Sequence, residues 1–223
     1  MSKKQPELDK GLITSSFINW PELGYLVDSV FEASKTIFDS FASGGKLLVC
    51  GNGGSAADAE HIVGELAKSY KRKRPLTPKI EKRLVEVSPQ EGAMLAARLE
   101  TGLPAISLVS QTSLITAVMN DIDGSVIFAQ QVVAYAKEGD CLMGLSTSGA
   151  SSNVINAFIA AAATDVTTIS LTGSNPGPLG SHSDIVIAVP SIETAAVQQY
   201  HQIVYHTLCE VIEAAFFPDG NRS

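Results

Sequence analysis

Two short segments of this chain bring together residue types that can hold an anion. Gly51-Asn52-Gly53-Gly54-Ser55 follows an apolar run and opens helix-like sequence. Glycines permit positive φ and close backbone approach, and a helix N-terminus offers free N–H groups with a partial positive charge. Ser146-Thr147-Ser148-Gly149-Ala150-Ser151 is placed the same way and carries four hydroxyls in six residues. Such hydroxyls and amides can converge on phosphate oxygens without a fixed cation. Plainer readings stand beside these: a tight strand-to-helix turn for the first segment, and serine capping of a helix for the second. Four hydroxyls at the carboxyl end of a strand favour the anion site. The first segment also fits a relaxed dinucleotide fingerprint, Gly51-x-Gly53-x-x-Ala56. That fingerprint expects an acidic residue about 20 positions on, where the chain reads Ser69-Tyr70-Lys71-Arg72-Lys73-Arg74. There is no P-loop lysine, and no nucleotide cofactor is expected.

Candidate acid and base groups lie on two helices. His61 and Glu65 stand four apart on the helix that leaves the first loop, so they share a face. They are either a solvated i,i+4 pair or a functional one. The last helix carries Gln198, Gln202, His206 and Glu210 at four-residue steps. Neutral glutamine and histidine sit where a solvated stripe usually carries lysine and glutamate. His201 lies toward the apolar side and is expected to be buried and hydrogen-bonded. His182 reads as a loop residue.

The elements that must position these groups alternate in period. Short apolar runs at 46–50, 105–109, 141–145, 168–171 and 185–189 read as strands buried on both faces. Helical periodicity falls at 21–42, 56–69, 112–119, 126–136, 152–163 and 194–216. This alternation predicts an α/β fold with a parallel sheet covered on both faces, its ligand beyond the carboxyl ends of the strands. Residues 77–102 break the rhythm. Ser88-Pro89-Gln90-Glu91 there reads as a capping box opening a short helix with Met94, Leu95 and Leu99 on one side. We read 77–102 as an inserted helical segment and 1–20 as an N-terminal extension of a single domain.

At 223 residues, with 45% hydrophobic and 17% charged, the chain can bury a substantial core. A net charge of -7 argues against nucleic acid or an anionic membrane as partner. The polar start at Met1-Ser2-Lys3-Lys4-Gln5-Pro6 has no secretory pattern, and no apolar run approaches the roughly 20 residues that span a bilayer. Cys50, Cys141 and Cys209 lack metal spacing and read as reduced thiols, which points to the cytoplasm.

Taken together, Gly51 to Ala59 with His61 and Glu65, then Asn120-Asp121, then Ser146-Thr147-Ser148-Gly149-x-Ser151, then Gln198 and His206, resemble the sugar isomerase (SIS) domain family, and within it the bacterial phosphoheptose isomerases. The resemblance runs from about Pro21 to Glu213, apart from the insertion. It implies a doubly wound three-layer α-β-α sandwich on a five-stranded parallel sheet, and a cytoplasmic homotetramer with active sites at subunit interfaces. The implied reaction interconverts ketose and aldose phosphates, here sedoheptulose 7-phosphate and glycero-manno-heptose 7-phosphate, through an enediol. By position, Ser55, Ser146, Ser148 and Ser151 would hold phosphate, with Thr147 in the same loop. Asn52, Gly53, Gly54, Asn120, Asp121 and Gln198 would line the sugar, and Glu65 and His206 would act as base and acid. Zinc in some members would fall on His61, Glu65, Gln198 and His206. Non-catalytic members, including one that associates with a replication initiator, supply the alternative: a binding protein, which tends to lose the glutamate and histidine. The chain departs from the family pattern at Ser69, where arginine is common, and at Ala195, where an acidic residue is common. Lys68, Lys71 or Arg72 would replace that arginine. The basic run 71–74 otherwise reads as solvated.

Overall fold

The five apolar runs pair side by side into one wholly parallel sheet of order β2-β1-β3-β4-β5. The computed structural model describes residues 7–218 and 220, so the expectation for the leader at 1–6 lies outside the described residues. The strands are β1 (Leu47–Gly51), β2 (Ala105–Ser107), β3 (Cys141–Ser146), β4 (Thr167–Thr172) and β5 (Ile185–Ala188). The helices are α1 (Lys10–Ser16), α2 (Val27–Ala42), α3 (Gly54–Ala67), α4 (Pro78–Val87), α5 (Pro89–Ala96), α6 (Thr112–Asp121), α7 (Ile127–Tyr135), α8 (Ser152–Ala162), α9 (Gly177–Gly180) and α10 (Thr194–Phe216).

Successive side chains on a strand point to opposite faces, and β1 divides the core accordingly. Leu47 and Val49 pack with α1, α2, α3 and α10, whereas Leu48 and Cys50 pack with α6, α7 and α8. All of β1 and β3 is buried, the burial expected of central strands covered on both sides. The layered α/β sandwich is as the sequence implied. All three cysteines are free and buried, and among the described residues no helix is long and apolar enough to cross a membrane.

The strand order reverses between β1 and β3. The helices that follow these two neighbouring strands, α3 and α8, go to opposite faces. Their starts therefore splay apart at the carboxyl edge of the sheet, which opens a crevice at the switch point.

Four local expectations are refined or corrected. The helix expected over 21–42 is a 3₁₀ turn at Pro21–Leu26 followed by α2. The N-terminal extension contains α1, capped where Gly11 N–H donates to Asp9 Oδ1 at 2.8 Å and anchored by Ile13 and Phe17 in the core. The 77–102 segment holds two helices rather than one. Thr77-Pro78 starts α4 with the same signal that Ser88-Pro89 gives α5, and Thr77 Oγ1 accepts from Ile80 N–H at 3.4 Å. The expected Ser88 box is not formed: the Ser88 hydroxyl bonds the Glu91 carboxylate, and the Ser88 N–H donates to Leu84 O.

Candidate active site

The first loop turns on glycine for steric reasons. Gly53 has φ 57°, in the left-handed region. A Cβ on Gly54 would lie 2.4 Å from Nε2 of Gln198, so any larger residue there would displace the Gln198 amide. Ser55 is buried in the first turn of α3. In the second loop, Ser146 Oγ and Ser151 Oγ are 3.1 Å apart, and Ala150 N–H donates to Ser148 Oγ at 3.3 Å. Gly149 has φ 64°, and a Cβ there would meet Pro176 O at 1.9 Å. Thr147 also uses its backbone, its carbonyl accepting from Gly173 N–H at 3.1 Å. The loops are joined by a reciprocal amide pair, Asn52 with Asn153, at 2.8 and 2.9 Å. Asn153 was missing from the sequence reading; its only signal is an amide in the first turn of α8.

Core packing on one face of the sheet sets α3 beside α10. Ala59, Ile62 and Leu66 of α3 and Val197, Val204, Leu208 and Val211 of α10 share one cluster. Their flanks then bring His61, Glu65 and His206 together. His61 Nε2 is 3.2 Å from Glu65 Oε1 and 3.4 Å from His206 Nε2. One ligand atom from each of the three lies within 4.8 Å of the others, so the group can hold a metal ion. Gln198 is on the same helix as His206, with its amide against Gly54. Gly54, Asp58, Ala195, Gln198, Gln199 and Gln202 line an open cleft of about 360 Å³.

The surroundings tune these groups. Glu65 is mostly buried, its side chain 14% exposed, with Lys68 Nζ 3.4 Å from Oε2. Tyr70 stacks on His206, ring centroids 5.5 Å apart and planes 11° from parallel. Burial holds the His206 imidazole below its ordinary pKa, and the neighbouring His61 adds to this while Glu65 opposes it. Burial raises the Asp58 carboxyl, against the opposing hydrogen bond from Tyr205 and the charge of His61.

Other predicted residues fall elsewhere. Asn120 and Asp121 end α6, exposed and bonded to each other at 2.7 Å rather than to either loop. Of the three cations expected to replace the missing arginine, only Lys68 faces Glu65. Lys71 Nζ pairs with Glu210 at 2.6 Å, and an Arg72 guanidinium N–H donates to Pro218 O at 3.1 Å. The basic run is not simply solvated. Arg74 is 0% exposed; it donates to Glu213 Oε1 at 2.8 Å, Leu66 O at 2.7 Å and Glu65 O at 3.0 Å. It therefore covers the open carbonyls that end α3. Ser69 instead donates from N–H and hydroxyl to Glu100. Ala195 lines the cleft without charge, while Glu193 accepts from Ala195 and Ala196 N–H as the cap of α10. His201 is buried as expected; burial pushes its pKa down to about 4, against an opposing hydrogen bond to the Thr172 backbone.

Comparison with known proteins bears on this arrangement. The SIS domain family pattern matches residues 26–87 and 84–173. A phosphoheptose isomerase of Roseiflexus sp. (strain RS-1) is 38% identical over 186 residues, covering 83% of this chain and 81% of the relative. One from Shewanella sediminis is 37% identical over 200 residues, 88% of each. The structure of phosphoheptose isomerase from Neisseria gonorrhoeae superposes with a TM-score of 0.71 at 31% identity, covering 92% of this chain and 96% of that one.

Proposed function

The chain belongs to the SIS domain family, and from that premise we propose that it is an aldose–ketose isomerase of sugar phosphates that interconverts sedoheptulose 7-phosphate and glycero-manno-heptose 7-phosphate. The observation that carries this reading is the meeting of Glu65 and His206, from helices far apart in sequence, beside two anion-holding loops. A binding protein without catalysis has no need of that pair.

The phosphate sits between the starts of α3 and α8, held by Ser55, Ser146, Ser148 and Ser151 with Thr147 and the free backbone amides of both helix ends. Asn52, Gly53, Gly54 and Gln198 line the sugar. Glu65 takes the proton from the carbon next to the carbonyl and returns it to the neighbouring carbon. The half-buried His206, held neutral, accepts and returns the proton that moves between the two oxygens. Asn120 and Asp121 complete the site in a homotetramer whose active sites lie at subunit interfaces. Their exposure in the single chain supports that placement.

His61, Glu65 and His206, with Gln198, offer the nitrogen and oxygen donors that suit zinc. Such an ion, when bound, polarises the substrate carbonyl and stabilises negative charge on its oxygen.

The test is an isomerisation assay on sedoheptulose 7-phosphate, with and without added zinc. Wild type is expected to be active, and Glu65→Gln and His206→Gln each to lose about 100-fold or more. A wild type inactive on every C5 to C7 sugar phosphate would refute the isomerase, and full activity in Glu65→Gln would refute this assignment of the base.

A further inference from the structure

We infer that Tyr205 is a positioning residue that fixes the tautomer of His61 and so keeps His61 Nε2 open toward Glu65 and His206. Tyr205 precedes His206 on α10, and the two reach opposite sides of the same ring. The Tyr205 hydroxyl is 3.0 Å from His61 Nδ1, and His206 Nε2 is 3.4 Å from His61 Nε2. Tyr205 is 1% exposed and packed in the core, so its ring cannot swing away.

The phenol has one proton, which Asp58 or His61 can take, while the Gln202 amide donates to its oxygen. Its oxygen is 3.2 Å from Asp58 Oδ1 as well as 3.0 Å from His61 Nδ1. The other Asp58 oxygen, Oδ2, is buried with no partner, and among the described residues no other side chain donates to Asp58. An ionised carboxylate only accepts. If the phenol turned its proton toward His61, Asp58 would be left with no side-chain donor at either oxygen, and leaving a buried charged acceptor unmet is costly. If the phenol donates to Asp58, its own lone pair accepts the proton of His61 Nδ1–H, so Asp58 Oδ1, the phenol and His61 Nδ1 each have a partner and only Asp58 Oδ2 stays unmet.

The consequence falls on the other ring nitrogen. With the proton on Nδ1, His61 Nε2 presents a lone pair at 3.2 Å from Glu65 Oε1. The opposite tautomer would place an N–H there and tie both groups up in a mutual hydrogen bond. Tyr205 thus leaves an electron-rich cluster that attracts a cation, and leaves Glu65 free of a histidine donor. A polar partner behind a metal-binding imidazole acts in this way in general. The inference deepens the zinc reading above, and only its metal-binding consequence rests on that reading.

The experiment uses nitrogen-15 NMR of the histidine rings in metal-free protein, and zinc affinity by competition with a colorimetric chelator. In wild type, His61 is expected to carry its proton on Nδ1. Tyr205→Phe keeps the ring but loses the hydroxyl. The proton should then move to Nε2, toward Glu65, and zinc affinity should fall about 10- to 100-fold. Asp58→Asn keeps the phenol but offers it an amide donor, so the phenol proton turns to His61 and the same inversion is expected with core packing intact. A wild-type His61 protonated on Nε2 overturns the inference, as does an unchanged tautomer in both variants. A wild type that takes up no zinc refutes the metal reading alone, because the ring spectra still decide the role of Tyr205.

Discussion

The α3–α10 pair and the α4–α5 pair are both helix–helix contacts, but they are held in different ways. α10 buries residues nearly along its whole length, and α3 buries Ser55, Ala59, Ile62 and Leu66. Among the described residues α4 buries none, and α5 buries only Gly92, against which Leu84 O leaves no room for a Cβ. Ile80, Val85, Val87, Met94, Leu95 and Leu99 stay exposed. The first pair is positioned by packing along its length. The second is fixed at its ends, by Arg74 on one side and by Glu100, bonded to Ser69, and Thr101, donating to Pro75 O, on the other. Chemistry that needs sub-ångström placement belongs on the first kind of scaffold.

This contrast can be broken most directly at Arg74. Arg74→Met strands Glu213, itself 0% exposed, and uncovers the end of α3. Removing one partner of a buried pair costs about 3–5 kcal/mol. At about 2–4 °C per kcal/mol for a chain of this size, calorimetry should show Tm falling by roughly 10 °C. A drop under about 2 °C would mean that the ion pair does not anchor either helix pair.

The next effect concerns pH and the packed side alone. His201 is neutral in both states above its ordinary value of 6.5. As pH falls below that, the unfolded chain binds a proton that the buried ring refuses until about 4, so stability falls with falling pH. The full loss is about 3 kcal/mol. Denaturant melts of His201→Leu between pH 7 and 4 should show a flatter stability profile than wild type. Identical profiles would remove His201 as the source.

The smallest effect is expected on the exposed pair. Val87, 86% exposed, can become serine with a change within about 0.5 kcal/mol in urea melts. A larger loss would show that α4 is packed against another copy in solution. Under native conditions, amide exchange should open α4 and α5 well before α3 and α10.

Much of this was legible before any coordinates. The period of apolar residues gave the strands and the bounds of α10 at Thr194 and Phe216. Glycine and serine at strand ends gave both loops, because those residue types answer a local steric and hydrogen-bonding need. α1 was missed because it is only seven residues long, whereas α4 carries Ile80, Leu84 and Val87 at helical spacing on a face that stays out of the core.

Arg74 and Tyr205 escaped for another reason. A basic run reads as solvated, and a tyrosine in a core helix reads as packing, until the partner is known. Arg74 finds Glu213 from 139 positions away, and Tyr205 finds Asp58 from 147. The sequence by itself determined which residues could hold an anion and which could move a proton, since those are properties of single side chains and local turns. Only the tertiary structure decided which of them meet. The packing of α3 against α10 selects His61, Glu65, His206 and Tyr205 for one cluster and leaves Asn120 and Asp121 outside it.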